Sequence, residues 1–272
     1  MAPLLSDVLA RTEALWPAAG AEGWDASGLV SGSLGADIRR IHLAVDAVVD
    51  TADEALALGA DLMVAHHPLL LRGVTTVAED RYKGAVLARL IRGNCALLAA
   101  HTNADVVETG TSAELARRLG LTGVVPLVRG ASPTRGIGRV GTLPEPTTLG
   151  RLARQLGAIL PPTAGGIRVS GEYDQSVSTI ALCAGAGDSL LGDPAVLASD
   201  VYITSDLRHH PASEFRENAR ESGGPALIDV SHWASEWLWL EVAANQLREV
   251  LPGVDVTVSE LRTDPWDFVV VQ

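Results

Sequence analysis

Aromatic residues make up only 4% of this 272-residue chain, cysteine occurs twice, and 21 Lys and Arg face 33 Asp and Glu. Each scarcity excludes something. With so few aromatic rings and so much alanine and glycine, the chain reads as close-packed α/β layers rather than an aromatic-rich binding module. Cys95 and Cys183 are far apart in the apolar runs CALLAA and IALCAGAG, which excludes a CxxC metal site and points to buried, reduced thiols. The net charge of −12 argues against a broad nucleic-acid or anionic-membrane surface, though it leaves room for a local basic pocket for a small anion. No uncharged run reaches membrane-spanning length. The opening MAPLLSDVLARTEALW lacks the basic lead and apolar core of a signal peptide and reads as an amphipathic helix, so a cytoplasmic, soluble protein with no membrane partner is expected.

Strand-like apolar runs alternate with helical patterns. IHLAVDAV precedes the helix DTADEALALGA, with Asp50 or Thr51 as its cap and Gly59 as its stop. DLMVAHH leads to the helix KGAVLARLIRG, and CALLAAHTNAD to TSAELARRLG, capped by Thr111 or Ser112. This order predicts an α/β fold with a largely parallel, helix-covered sheet. The segment GVVPLVRGASPTRGIGRVG breaks the alternation, and a boundary is expected near residue 124. A second α/β unit follows, until PALIDV near residue 225 returns to a buried strand. The expected division is 1–124 with 225–272 as a metal-binding α/β domain, and 125–224 as an inserted second α/β domain.

In open α/β sheets, ligands bind beyond the carboxyl ends of the strands. Asp46 ends the first run, and His66 and His67 end the second. His101, Thr102, Asn103 and Asp105 end the third. PALIDV carries Asp229 and is followed by His232 and Glu236, whose spacing of four places both on one helix face. His66 and His67 would point to opposite sides of a continuous strand, but Pro68 forces a turn that lets the second ring join the first. Alone, each element has a plain structural reading: an HH pair facing solvent, an HTNAD turn, an HxxxE on a helix surface. Together they offer too many donors for one tetrahedral zinc. Nitrogen and oxygen donors in this number suit two ions bridged by carboxylate and water, with Zn, Fe, Mn, Ni or Co as the candidate metals.

The stretches GWDASGLVSG, HHPLLLRG, KGAVLARLIRGNCALLAAHTNAD, GIGRVG, TIALCAGAGDSLL, ITSDLRHH and DVSHWASEW run in the order of a known family. The chain resembles the GTP cyclohydrolase 1 type 2 homologues, the interacting-factor-three-like proteins with dinuclear metal centres. That resemblance implies two interlocked α/β units, with mixed, largely parallel sheets covered by helices, assembled as a toroidal homohexamer. It implies His66, His67, Asp105, His232 and Glu236 as metal ligands, Asp105 and Glu236 as the bridges, and His101 as supporting the site rather than ligating; in a hydrolase, His101 or a ligand carboxylate would shuttle protons as the catalytic group. Trp24 and Asp25 match a family motif close to the metals, and equally suit a packed Trp and a solvated Asp. In ITSDLRHH, Ser205 stands where the family has glycine and Arg208-His209-His210 departs from its pattern, so His210 is left out of the ligand set. WASEW is bulkier than the family's run, and a larger central insertion carried by some members is missing.

GAGDSLL has the form of a glycine-rich turn at a helix N-terminus, where a phosphate can sit, or of a tight packing turn. Arg135 and Arg139 are further phosphate candidates. The functional expectation is a metal-dependent hydrolase acting on a small nucleotide or phosphorylated compound. The alternative is a non-enzymatic protein that binds or delivers a metal or metal-cofactor, or a regulatory partner.

Overall fold

The computed structural model describes residues 2–130 and 132–271. Its chain divides into two compact units, residues 1–107 with 240–263, and residues 108–239 with 264–272.

The first unit holds a five-stranded sheet. Its strands are β1 (Gly28–Ser31), β2 (Arg40–Ala44), β3 (Leu62–Ala65), β4 (Ala96–Ala99) and β13 (Asp255–Val258), in the order β1-β4-β3-β2-β13. β13, β2, β3 and β4 are parallel, and β1 is antiparallel to β4. All four residues of β3 and of β4 are buried, as expected for central parallel strands covered on both faces. Its helices are α1 (Leu5–Leu15), α2 (Val49–Ala57), α3 (Tyr82–Arg92) and the single turn α4 (Thr102–Asp105), joined by the later part of the last helix from residue 240 onward. Ala52 and Ala55 of α2 and Val86, Leu87 and Leu90 of α3 pack with Met63, Ala65 and Leu97 into one core, and each larger aliphatic there contributes about 1.5–3 kcal/mol by burial. Thr51 does not cap α2 from its first position. It sits at the third helical residue, where its hydroxyl accepts from the Val48 N–H. Gly59, at φ +68°, turns the chain out of the helix, as its sequence position predicted.

The second unit holds a six-stranded mixed sheet. Its strands are β5 (Thr122–Val125), β8 (Arg139–Thr148), β9 (Arg168–Ser170), β10 (Ser176–Ala186), β11 (Val201–Ser205) and β12 (Ala226–Val230), in the order β5-β8-β10-β11-β12-β9. β10, β11 and β12 run parallel, while the β5–β8, β8–β10 and β12–β9 pairs are antiparallel. This sheet is therefore mixed, with its parallel strands in the middle. A small ribbon joins β6 (Val128–Arg129) to β7 (Gly136–Ile137). The helices are α5 (Thr111–Arg118), α6 (Leu149–Ile159), α7 (Pro194–Leu197), α8 (His209–Ser222) and the start of α9 (His232–Val250), which carries the chain back into the first unit. Ala181, Cys183, Tyr202, Phe215 and Leu227 pack between sheet and helices. Gly110, not Thr111 or Ser112, caps α5, and the Ser112 hydroxyl accepts from the Ala184 N–H of β10 instead.

The units differ from the division expected at 124 and 225. The strand PALIDV is β12 and pairs with β11 and β9, so it belongs to the second sheet. The α5 helix and β5 also fall in the second unit, and the return to the first comes inside α9. Hydrophobic patterning reveals a buried strand but not which sheet it joins. Both cysteines are buried thiols, and burial pushes the Cys95 thiol up to about 12. Among the described residues, no helix is long and apolar enough to cross a membrane.

Candidate metal centre

In the first unit, the carboxyl ends of β3 and β4 bring three imidazoles together, and the end of β2 sets Asp46 beside them. The ladder continues past β3: the His66 N–H donates to the Ala44 carbonyl at 3.0 Å and the His67 N–H to the Val45 carbonyl at 2.8 Å. Both histidines are thus held by backbone, with Pro68 ending the run. His101 follows β4 and α4 places Asp105 one turn later, so HTNAD is a helical turn rather than a loop. The ring centroids of His66 and His67 lie 5.1 Å apart, those of His66 and His101 5.3 Å, and those of His67 and His101 5.6 Å. One nitrogen from each of the three lies within 4.8 Å of the others. The His66 Nε2 is 3.7 Å from Asp105 Oδ1.

What the opposite ring nitrogens do decides the chemistry. His66 Nδ1 is 2.8 Å from the Ala100 carbonyl oxygen, which can only accept, so Nδ1 carries the proton and Nε2 keeps its lone pair. His67 Nδ1 meets Asp46 Oδ1, and His101 Nδ1 meets Asp25 Oδ1, each at 2.7 Å. Metal-binding imidazoles are set up in this way, with the non-ligating N–H given to a carboxylate or carbonyl. The Asp25 side chain is 1% exposed. Burial raises its carboxyl pKa, but hydrogen bonds from Ser27, Thr102 and His101, with the imidazole charge, outweigh that and hold it well below the usual carboxylate range. Burial lowers the His101 pKa below its ordinary 6.5, helped by His66 and opposed by Asp25 and Asp105. Trp24 is 61% exposed and stands edge-on to His101, with centroids 5.8 Å apart.

The second unit repeats the device at the carboxyl ends of β10, β11 and β12. His232 opens α9 and Glu236 follows one turn on, with Nε2 3.1 Å from Oε1. His232 Nδ1 meets Asp206 Oδ2 at 2.7 Å. Burial would lower the His232 pKa, but the Glu236 and Asp206 carboxylates prevail and hold it well above 6.5. Asp206 has φ +58°, a left-handed conformation uncommon outside glycine. Gly185, at φ +71°, ends the straight part of β10, and a Cβ there would run into Glu236 Oε1 and close on His232 Nε2. Its N–H donates to the Ser235 hydroxyl at 2.9 Å, which ties the strand end to α9.

Other expectations fare differently. Asp229 lies on β12 in the second sheet and its carboxylate pairs with Arg168, instead of joining Asp46 and the His66–His67 pair at one sheet edge. GAGDSLL leads only to a three-residue 3-10 turn, and Asp188 there pairs with Arg208 at 2.9 Å, so it is a packing turn without a helix N-terminus long enough to hold phosphate. Arg139 is buried, and its guanidinium donates to the Gly136 and Gly138 carbonyls, fixing a backbone turn instead of facing solvent. His209 and His210 lie in the first turn of α8, both exposed. Sequence reasoning missed Asp206 and Gly185. A lone Asp or Gly after a strand carries no spacing signal, and the sign of φ that makes them special is not written in the sequence.

The family model for Duf34/NIF3 (NGG1p interacting factor 3) matches residues 3–265. The chain belongs to the Duf34/NIF3 family. A Streptomyces coelicolor relative named GTP cyclohydrolase 1 type 2 homolog is 48% identical over 97% of this chain and 94% of its own length. A Mycobacterium leprae relative of the same name is 34% identical over 98% of this chain and 96% of its own, in an alignment 376 residues long that exceeds this chain's length. Among solved structures, a Bacillus cereus protein related to NIF3 superposes with a TM-score of 0.88 at 22% identity, covering 99% of this chain and all of that one. Reduced HcgD from Methanocaldococcus jannaschii gives 0.78 at 23% identity, over 95% of this chain and 98% of its own. At these identities the structural matches establish the NIF3 fold and nothing further.

Proposed function

We propose that the chain holds two divalent transition-metal ions, drawn from Zn, Fe, Mn, Ni and Co, through His66, His67, Asp105, His232 and Glu236. In this reading Asp105 and Glu236 would supply the carboxylate ligands. The observation that carries the reading is the pairing of each Nδ1 with an acceptor, which leaves the Nε2 lone pairs of His66 and His67 for a soft-to-borderline cation. The same pairing of His232 with Asp206 supports the second donor set.

The reaction we assign is hydrolysis of a small nucleotide or phosphorylated substrate, with a GTP-like compound first in line given the names of the relatives. The ions would supply Lewis acidity, which polarises the substrate and lowers the pKa of a water. The protein's own part falls to His101. Its Nδ1–H is anchored on ionised Asp25, its lowered pKa keeps the ring neutral near pH 7, and Nε2 then accepts a proton as general base. Trp24, edge-on to that ring and largely in solvent, flanks the dyad on one side. Chains would assemble as a homohexamer, a reading supported by the exposed apolar run Trp266, Phe268, Val269, Val270 and Val271.

The test is formate and phosphate release from GTP, and from simple phosphoesters, by metal-loaded protein. His101→Ala is expected to slow turnover about 10²–10⁴-fold with metal content unchanged. Two bound ions without any turnover would favour the second reading, a non-enzymatic protein that binds or delivers metal. That reading draws on the exposure of Asp206 and His232, whose side chains are 60% and 29% exposed.

A further inference from the structure

We infer that the cavity between helix α8 and the edge strand β9 is a binding site for a small phosphate ester, with Arg168 and Arg216 taking the phosphate and the apolar walls taking the organic group. The inference does not depend on the metal-centre reading, since none of the five residues assigned there as ligands lines this cavity.

Helix α8 carries a stripe of donors. His209, Ser213, Arg216 and Arg220 are spaced four, three and four apart, so they share one face over about 16 Å of helix. Strand β9 is the last in its sheet, and Arg168 and Ser170 stand opposite Asp229 and Leu227 of β12. Partners directly opposite in a ladder project to the same face, so this pair of strands presents its own polar row. Between stripe and strand lies a cavity of about 400 Å³, within the range of small-molecule sites. Arg168, Ser170, His209, Ser213 and Arg216 form its polar side. Leu207, Ala212 and Leu227 form its apolar side.

The charges favour an anion here although the chain as a whole is acidic. The Asp229 side chain is 9% exposed and that of Arg168 69%, and the two are paired. A buried carboxylate thus anchors a guanidinium that faces outward, and a guanidinium has five N–H donors to share. Arg216 is exposed, and its guanidinium makes no hydrogen bond or ion pair among the described residues. Helix α8 begins at this cavity with no side chain capping its first turn, which leaves its positive end available as well. Two guanidiniums and two hydroxyls offer more donors than the two oxygens of a carboxylate accept, and they suit the three oxygens of a phosphate ester. A second cavity of about 250 Å³ adjoins, sharing Ser170, Arg216 and Leu227. It suits the anion less, because Glu172 lines it and its Arg220 already pairs with Glu217 at 3.4 Å. Phe215 and Ala219 give it an apolar wall for the organic group.

The test is calorimetric titration of phenyl phosphate into the protein, as purified and after treatment with chelator. Wild type should bind at one saturable site in both states, and more weakly as salt is raised. Arg168→Gln and Arg216→Gln should each weaken binding about 10–100-fold, the loss expected for a hydrogen-bonded charge. Both side chains are exposed, so neither substitution disturbs the core. Arg151→Gln, an exposed position on α6, should leave binding unchanged. No saturable binding in wild type, or equal affinity in the Arg168 and Arg216 variants, overturns the inference. So does binding that chelator abolishes, which would put the phosphate on metal. Benzoate bound as tightly as phenyl phosphate would also overturn it, because the site would then be one for carboxylates.

Discussion

Asp25 carries an electrostatic load that neither a solvated acid nor a simple turn residue would bear. It is enclosed, yet remains ionised because five donors converge on it. A carboxyl whose folded pKa lies below its unfolded value, near 3.9, contributes stability that is present in full above about pH 4 and fades as pH falls toward the folded value. Asp25→Asn should therefore cost about 2 kcal/mol at pH 7, with the difference from wild type narrowing below pH 4. Urea unfolding at pH 7 and pH 3 checks this, and an equal loss at both would contradict it. At this scale the sequence was informative about donors and poor about their supports. The HH, HTNAD and HxxxE signatures state residue type and spacing, which are linear properties. Asp206 and Gly185 matter through a backbone angle and a close approach, which arise only once three strand ends and a helix meet.

Elements show the same contrast. Helices α2, α3 and α6 were legible from their apolar periodicity, and β3 and β4 from short unbroken hydrophobic runs. The partner of β12 was not, because a strand buried on both faces looks alike in either sheet. One element makes a prediction against ordinary helix propensity. Gly84 lies in the first turn of α3, where alanine would normally gain about 1 kcal/mol. A Cβ there would collide with the carbonyl oxygens of Val77 and Ala78 in the preceding loop, and neither is a flexible side-chain end. Gly84→Ala should thus destabilise the chain by about 1–3 kcal/mol, the range for overpacking. The thermal midpoint decides the sign, and a rise would show that the loop gives way at little cost.

At the scale of the whole molecule, two sheets of different topology use one device. Each sets parallel strands side by side, ends them in ligand-type side chains, and gives the outer nitrogen of an imidazole to an aspartate. An acidic chain with 33 Asp and Glu suits that use, since aspartates serve both as donors and as orienters of donors. The sequence displayed both groups of donors but assigned them to a single sheet, because nothing in a strand's hydrophobic run records its neighbours.

The central claim of the proposed function is that His66, His67, Asp105, His232 and Glu236 are metal ligands. Elemental analysis of protein purified without chelator, wild type beside Asp105→Ala and His232→Ala, tests it most directly. The account predicts about two transition-metal equivalents per chain in wild type and a sharp fall in each variant. Wild-type protein that holds no metal, and takes up none when Zn, Mn or Fe is added, would contradict it.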